Sequence, residues 1–121
     1  MYEVSVSDHF DAAHFLRGYK GKCEALHGHR WKVEVSVRTG CIDETGLAYD
    51  FRLLRESLRD CLSMLDHCLL NEREPFLAQN PSSENIALYI HTRLKEKIAG
   101  ARLGRVTVYE SPDAWVSYAE G

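Results

Sequence analysis

Trp31, Val33, Val35 and Val37 alternate with Lys32, Glu34, Ser36 and Arg38. Period-two alternation of this length specifies a strand with one face buried and one in water. The fold must therefore contain a sheet covered on one side. His27 and His29 continue the apolar parity upstream, so two imidazoles project onto the covered face where a layer of aliphatic side chains would otherwise begin. They either pack as hydrogen-bonded histidines or belong to a metal site at the mouth of the core. Two ligands alone do not decide between these.

The other elements follow from the same kind of pattern. In residues 2 to 14, Val4, Val6, Phe10, Ala12 and His14 share one parity. Asp8 interrupts them and predicts a bend or bulge near Asp8 and His9. His14 ends its stripe as His27 and His29 begin theirs, so antiparallel pairing of the two strands gathers all three histidines at one end of the sheet. The second strand runs from about His29 to Arg38, and Asp43-Glu44-Thr45-Gly46 reads as a turn. Asp50 caps a helix carrying Phe51, Leu54, Leu58, Leu62 and Leu65 at three- and four-residue spacing, with its end near Asp66-His67. After a loop over 71–81, Ser82 or Ser83 caps a second helix with Ile86, Ile90, Leu94 and Ile98 on its buried stripe, stopped at Gly100. Arg105 to Glu110 and Trp115 to Tyr118 are strands joined by a turn at Ser111-Pro112-Asp113-Ala114. The order ββααββ predicts an α+β fold in which two helices cover one face of a four-stranded antiparallel sheet, with residues 1–121 as a single domain. The free edges of such a sheet need blocking or pairing with another copy, so oligomerisation is expected.

A length of 121 residues suffices for one core without staples, and a net charge of −3 gives no general attraction for nucleic acid or for a membrane surface. The polar first twenty residues carry no signal-peptide pattern and no spanning segment follows, so a cytoplasmic protein is expected. In that reducing setting Cys61 and Cys68 read as packing residues of the helical segment. The local concentration of Arg17, Lys20, Lys22 and Arg30 is either a solvated loop or the place where a phosphorylated substrate is met.

Three histidines would leave one corner of a tetrahedral zinc site open, the catalytic arrangement; Cys23 as a fourth ligand would close it into a structural one. Asp66-His67 is either an ordinary helix end or a carboxylate orienting an imidazole as an activating pair. Glu110 shares the core-facing parity of Val106 and Val108. It is either an exposed strand end or a carboxylate that accepts two parallel hydrogen bonds from an amino-heterocycle such as a pterin or guanine. His9 and His91 are expected at the surface. The string from His27 to Glu34 also spells the first metal motif of cupins, but Glu34 has the wrong parity and two helices stand where a jelly roll needs strands.

Taken together, FDAAHFL (10–16), CEALHGH (23–29), LDHCLLN (65–71), PSSEN (81–85) and VTVYES (106–111) resemble the family of 6-pyruvoyl- and 6-carboxy-tetrahydropterin synthases, in family order across nearly the whole chain. The resemblance implies the tunnelling fold (T-fold), in which trimers close a β-barrel and two trimers stack into a homohexamer. It implies Zn2+ on His14, His27 and His29, and a catalytic thiol at Cys23 completed by Asp66 and His67, from a neighbouring subunit. Glu110 is implied as the pterin anchor, with Ser82 and Ser83 touching the pterin. The implied substrate is 7,8-dihydroneopterin triphosphate. The short spacing between Cys23 and His27 resembles the bacterial enzymes of queuosine synthesis, which form 6-carboxy-5,6,7,8-tetrahydropterin, acetaldehyde and triphosphate. Glu24, in CExxHGH, resembles a subgroup that also cleaves this substrate to 6-hydroxymethyl-7,8-dihydropterin for folate synthesis, and it is otherwise a loop residue. A 6-pyruvoyl-tetrahydropterin synthase and a non-catalytic, zinc-stabilised oligomeric binding module are the remaining alternatives.

Overall fold

The computed structural model describes residues 1–19, 25–98 and 101–121. Strands β1 (Tyr2–His14) and β2 (His27–Thr39) form a long antiparallel ribbon. Its register is unbroken from Tyr2 opposite Thr39 to His14 opposite His27. The bulge expected near Asp8 is absent. Asp8 stays in the ladder on the core-facing parity because Arg59, reaching over from the helix above, donates Nε to its carboxylate at 3.2 Å; the strand has no need to bend the charge away. Along the ribbon Phe10 stacks on Trp31 at 5.8 Å, and the Trp31 indole donates to the Ala12 carbonyl at 3.3 Å. A large apolar layer is thereby fixed directly beneath the histidines.

Asp50 caps α1 (Phe51–Leu62), its carboxylate accepting from the Arg52 N–H. Leu54, Leu58, Leu62 and Leu65 are buried as the spacing predicts, whereas Phe51, in the first turn, is 58% exposed. The helix stops at Leu62, earlier than expected, and the chain turns through Asp66 and His67. It then lays a two-residue strand, β3 (Cys68–Leu69), parallel to Ala12–Ala13 on the outer edge of β1. After a 3-10 turn at Leu70–Glu72, α2 (Ser83–Lys95) is capped by Ser82, whose hydroxyl accepts from the Asn85 N–H. Its predicted stop at Gly100 lies outside the described residues, and the helix ends at Lys95. Strands β4 (Arg102–Ser111) and β5 (Ala114–Tyr118) complete the sheet, in the order β3-β1-β2-β4-β5.

The sheet is thus five-stranded with one parallel pairing, where four antiparallel strands were expected. A two-residue strand carries no periodicity; it forms because the turn at Asp66-His67 is tied to the β1 backbone. α1 packs on β1 and α2 on β4 and β5, all on one face. A second irregularity lies between β2 and β4, where the register slips between Val35 and Val37. There the Arg105 N–H donates to the Ser36 hydroxyl at 3.0 Å. Gly104 sits so close that a Cβ would stand 2.6 Å from that oxygen, so only glycine fits without a shift. Among the described residues no helix is long and apolar enough to cross a membrane.

Candidate metal centre and active site

The unbroken β1–β2 register does what the parity predicted: it places His14, His27 and His29 at one end of the covered face. His14 Nε2 lies 3.1 Å from His27 Nε2. The Glu110 carboxylate, from the end of β4, joins them, with Oε1 at 3.6 Å from His14 Nε2, 3.9 Å from His27 Nε2 and 3.3 Å from His29 Nε2. A tetrahedral zinc with nitrogen and oxygen donors at about 2.0–2.1 Å has edges of about 3.3 Å between ligands. The four separations, 3.1 to 3.9 Å, bracket this edge, and Glu110 stands where three histidines alone would leave a corner open.

The protonation of the rings argues for a cation. Nδ1 of His14 faces the Pro81 carbonyl at 2.7 Å and Nδ1 of His27 faces the Ala25 carbonyl at 2.6 Å. A carbonyl only accepts, so both Nδ1 atoms carry the proton and both Nε2 atoms turn lone pairs inward in the neutral rings. Two lone pairs 3.1 Å apart repel unless a positive charge lies between them. His29 Nε2 is buried and has no hydrogen-bond partner, since Glu110 stands outside hydrogen-bonding geometry. An orphaned buried nitrogen beside two converging lone pairs and a carboxylate fits a divalent ion such as zinc.

A proton is the poorer occupant. Burial holds His14 below the ordinary imidazole value of 6.5, against the raising influence of the Pro81 carbonyl, and burial likewise depresses His29. Burial thus disfavours the charged form of both rings. Stability that depends on neutral rings is present above the unfolded value of 6.5 and is lost as pH falls through the depressed values. Metal-free protein should unfold in progressively less urea as pH drops from roughly 7 to about 5. Stability rising across that interval would contradict the assignment.

Asp66 and His67 form a second group with Asp11, separate from the first. Asp66 Oδ1 accepts from the Asp11 N–H at 2.9 Å, and the His67 N–H donates to the Asp11 carbonyl at 2.6 Å. His67 adopts a left-handed backbone, φ 55°, which costs a non-glycine residue about 1–2 kcal/mol and persists only where contacts over-determine it. Here those contacts are the bonds to Asp11. His67 Nδ1 lies 2.9 Å from Asp66 Oδ2 with the imidazole exposed. The Asp11 N–H, and next the imidazole, hold the Asp66 carboxyl below its usual range. Asp66-His67 is therefore an oriented carboxylate–imidazole pair that presents Nε2 outward. An open depression of about 610 Å³ at the β1 edge is lined by both His67 and His29.

A smaller cavity of about 190 Å³ is lined by His14, Ser82, Ser83, Glu84, Glu110 and Trp115 among others. The expected pterin contacts Ser82 and Ser83 thus share a cavity wall with His14 and Glu110, although the Ser82 hydroxyl is engaged as the α2 cap. Glu84, in the first turn of α2, was missed by the sequence reading. Its signal was its place directly after the two serines.

Cys23, Glu24, Lys20 and Lys22 lie outside the described residues. Arg17 does not face the site. Its guanidinium donates to the carbonyls of Asn71, Phe76 and Gln79, clamping the 71–80 loop. Arg30 is taken by Asp11 at 3.0 Å. Cys61 is buried with its thiol pushed up to about 11 by that burial, and Cys68 is half-buried, donating to the Leu65 carbonyl. Both are packing residues, as predicted. His9 is exposed as expected; His91 is not, being buried against the Tyr118 ring at 4.9 Å.

The sequence matches the family model described as 6-pyruvoyl tetrahydropterin synthase over residues 3–121. A protein of Archaeoglobus fulgidus, named as a candidate 6-carboxy-5,6,7,8-tetrahydropterin synthase, is 40% identical over 112 residues, covering 93% of this chain and 90% of the relative. A dihydroneopterin monophosphate aldolase of Pyrococcus furiosus is 36% identical over 102 residues, covering 84% and 82%. Among solved structures, the 6-pyruvoyl tetrahydropterin synthase of Caenorhabditis elegans superposes with a TM-score of 0.89 at 30% identity, covering 99% of this chain and 96% of that one.

Proposed function

The chain belongs to the 6-pyruvoyl tetrahydropterin synthase family, and on that premise we propose that it converts 7,8-dihydroneopterin triphosphate to 6-carboxy-5,6,7,8-tetrahydropterin, acetaldehyde and triphosphate, the reaction that serves queuosine biosynthesis. At the coarser level it is a T-fold enzyme, a lyase of the tetrahydropterin synthase kind acting on a small pterin. The observation that carries the metal-dependent reading is the four-cornered site of His14, His27, His29 and Glu110, and the short spacing between Cys23 and His27 favours the carboxy product. A zinc ion held there supplies acidification of a substrate hydroxyl or polarisation of a carbonyl.

The protein's own groups divide the remaining work. His14 and His27, locked by carbonyls at Nδ1, keep their donor atoms aimed at one point. Asp66 accepts a hydrogen bond from the Nδ1–H of His67, which fixes the tautomer and leaves Nε2 to accept or return a proton. Cys23 is assigned the second proton-transfer role as a thiolate beside this imidazole. Because the ring of His67 is exposed and belongs to a group separate from the histidine cluster, one copy can offer it to the Cys23 of the next. The free length of the β1 edge and the outer edge of β5 supply the pairing surfaces for a trimeric barrel, two of which form the homohexamer, working in the cytoplasm.

Glu110 is assigned to the pterin's amino edge, yet its present place is beside the metal position. Were the substrate's side-chain hydroxyls held by a metal there, the ring would lie toward Ser82, Ser83 and Glu84, and Glu110 or Glu84, which line the same cavity, would anchor it. The second reading of the activity, cleavage to 6-hydroxymethyl-7,8-dihydropterin for folate biosynthesis, is favoured by the resemblance of Glu24 and by the aldolase among the relatives.

Incubation of the zinc-loaded enzyme with dihydroneopterin mono- and triphosphate, with chromatography of the pterins, tests both readings. Carboxytetrahydropterin from the triphosphate is the expected product. Finding none of the carboxy, hydroxymethyl or pyruvoyl pterins from either substrate would contradict the proposal. In the same assay the anchoring carboxylate is whichever of Glu110→Gln and Glu84→Gln raises KM about tenfold or more, as loss of a charged double hydrogen bond predicts.

A further inference from the structure

The end of the sheet opposite the histidines carries a cavity of about 380 Å³, lined by Arg38, His91, Lys95, Arg102, Gly104 and Glu120 among others. Arg38 on β2 and Arg102 on β4 are direct cross-strand partners. Like charges placed opposite one another are unfavourable unless something between them compensates. Glu3 stands opposite Arg38 on the β1 side, but among the described residues neither arginine forms an ion pair with any carboxylate. Lys95, from the last turn of α2, reaches Glu120 at 2.6 Å, and the buried His91 ring lies 3.9 Å from the same carboxylate. Two exposed arginines without an ion-pair partner among the described residues, and Lys95 held by Glu120, thus line one cavity.

We propose that this cavity binds a phosphate-bearing anion, gripped by the guanidinium groups of Arg38 and Arg102 and by the ammonium of Lys95. The surplus of positive charge matches a dianionic phosphate, and two planar forks on adjacent strands suit its oxygens better than those of a single carboxylate. The slip in register at Gly104 brings the β4 backbone close under Ser36 and Arg38, so the Arg38 side chain lies over a residue with no side chain of its own. Glu120 acts as an internal competitor that holds Lys95 until the anion arrives. Arg38 is nine residues from His29 along β2, about 30 Å at strand rise, so this site is distinct from the metal centre and does not depend on the reading given to it.

Calorimetric titration of the zinc-loaded full chain at low ionic strength, with inorganic phosphate and separately with inorganic triphosphate, tests the proposal. Saturable binding of at least one is expected, and preference for triphosphate identifies a polyphosphate ligand over a single phosphate group. The Arg38→Ala/Arg102→Ala variant, altered only at exposed positions, should bind about tenfold more weakly or worse, and Glu120→Gln should bind more tightly. Absence of saturable binding of both anions overturns the proposal. So does an affinity unchanged in the double-arginine variant, which would place the anion elsewhere, or a loss of affinity in Glu120→Gln.

Discussion

Replacement of His29 by alanine should strip the protein of zinc and lower kcat/KM by on the order of a thousandfold or more, since removing a ligand takes away both the affinity and the charge stabilisation of the metal. His29 is the informative choice among the three ligands because its Nε2 has no other partner. Burial already disfavours its charged form. In metal-free protein the substitution therefore removes an unsatisfied polar atom and should leave stability nearly unchanged, whereas with zinc present the variant should lose the metal's contribution to the unfolding midpoint. Metal analysis by mass spectrometry, alongside thermal unfolding with and without added zinc, reads both effects. A variant that retains one zinc per chain would remove His29 from the ligand set.

The second large effect is expected at Cys23. Cys23→Ala should abolish the carboxy product, a loss on the order of ten-thousandfold if the proposed proton-transfer triad includes it, while zinc content stays at the wild-type level. Asp66→Asn should show the same separation of activity from metal content, because it disturbs the tautomer of His67 without touching the histidine cluster. If 6-hydroxymethyl-7,8-dihydropterin persists in Cys23→Ala and vanishes when Glu24→Ala is added, the protein carries both activities. If Cys23→Ala releases zinc, the thiol is a ligand and the assignment fails. Product chromatography and metal analysis on the same samples make the distinction.

Much of this arrangement was legible because strands convert parity into direction. Once residues 2–14 and 27–39 are strands, the convergence of His14, His27 and His29 follows from alternation alone, and Glu110 follows from Val106 and Val108. What the chain does not announce is governed by contacts between distant segments. Asp8 looked like a break in a strand because its partner, Arg59, is fifty-one residues away. Cys68–Leu69 is too short to have a period, and is recruited as a strand only because Asp66 and His67 bond to the backbone of Asp11. His91 reads as an exposed helical position until β5 is laid across it, since the Tyr118 ring that buries it arrives twenty-seven residues later. Glu110 was legible as a carboxylate at the site but not as a group at the metal corner. That depends on where the end of β4 falls relative to β2, with Tyr109 opposite Lys32, a register that no periodicity within either strand sets.

The most direct test of the metal centre is the absorption spectrum of cobalt-substituted protein. Three imidazoles with a carboxylate or solvent oxygen predict visible bands of a tetrahedral nitrogen and oxygen site, with thiolate-to-metal charge transfer in the near ultraviolet absent. Addition of substrate should then shift the visible bands as oxygen donors at the fourth corner are exchanged. A strong thiolate charge-transfer band in the resting protein, unchanged by substrate, would show Cys23 closing the site. It would contradict a catalytic centre built on His14, His27 and His29 with its fourth corner held by Glu110.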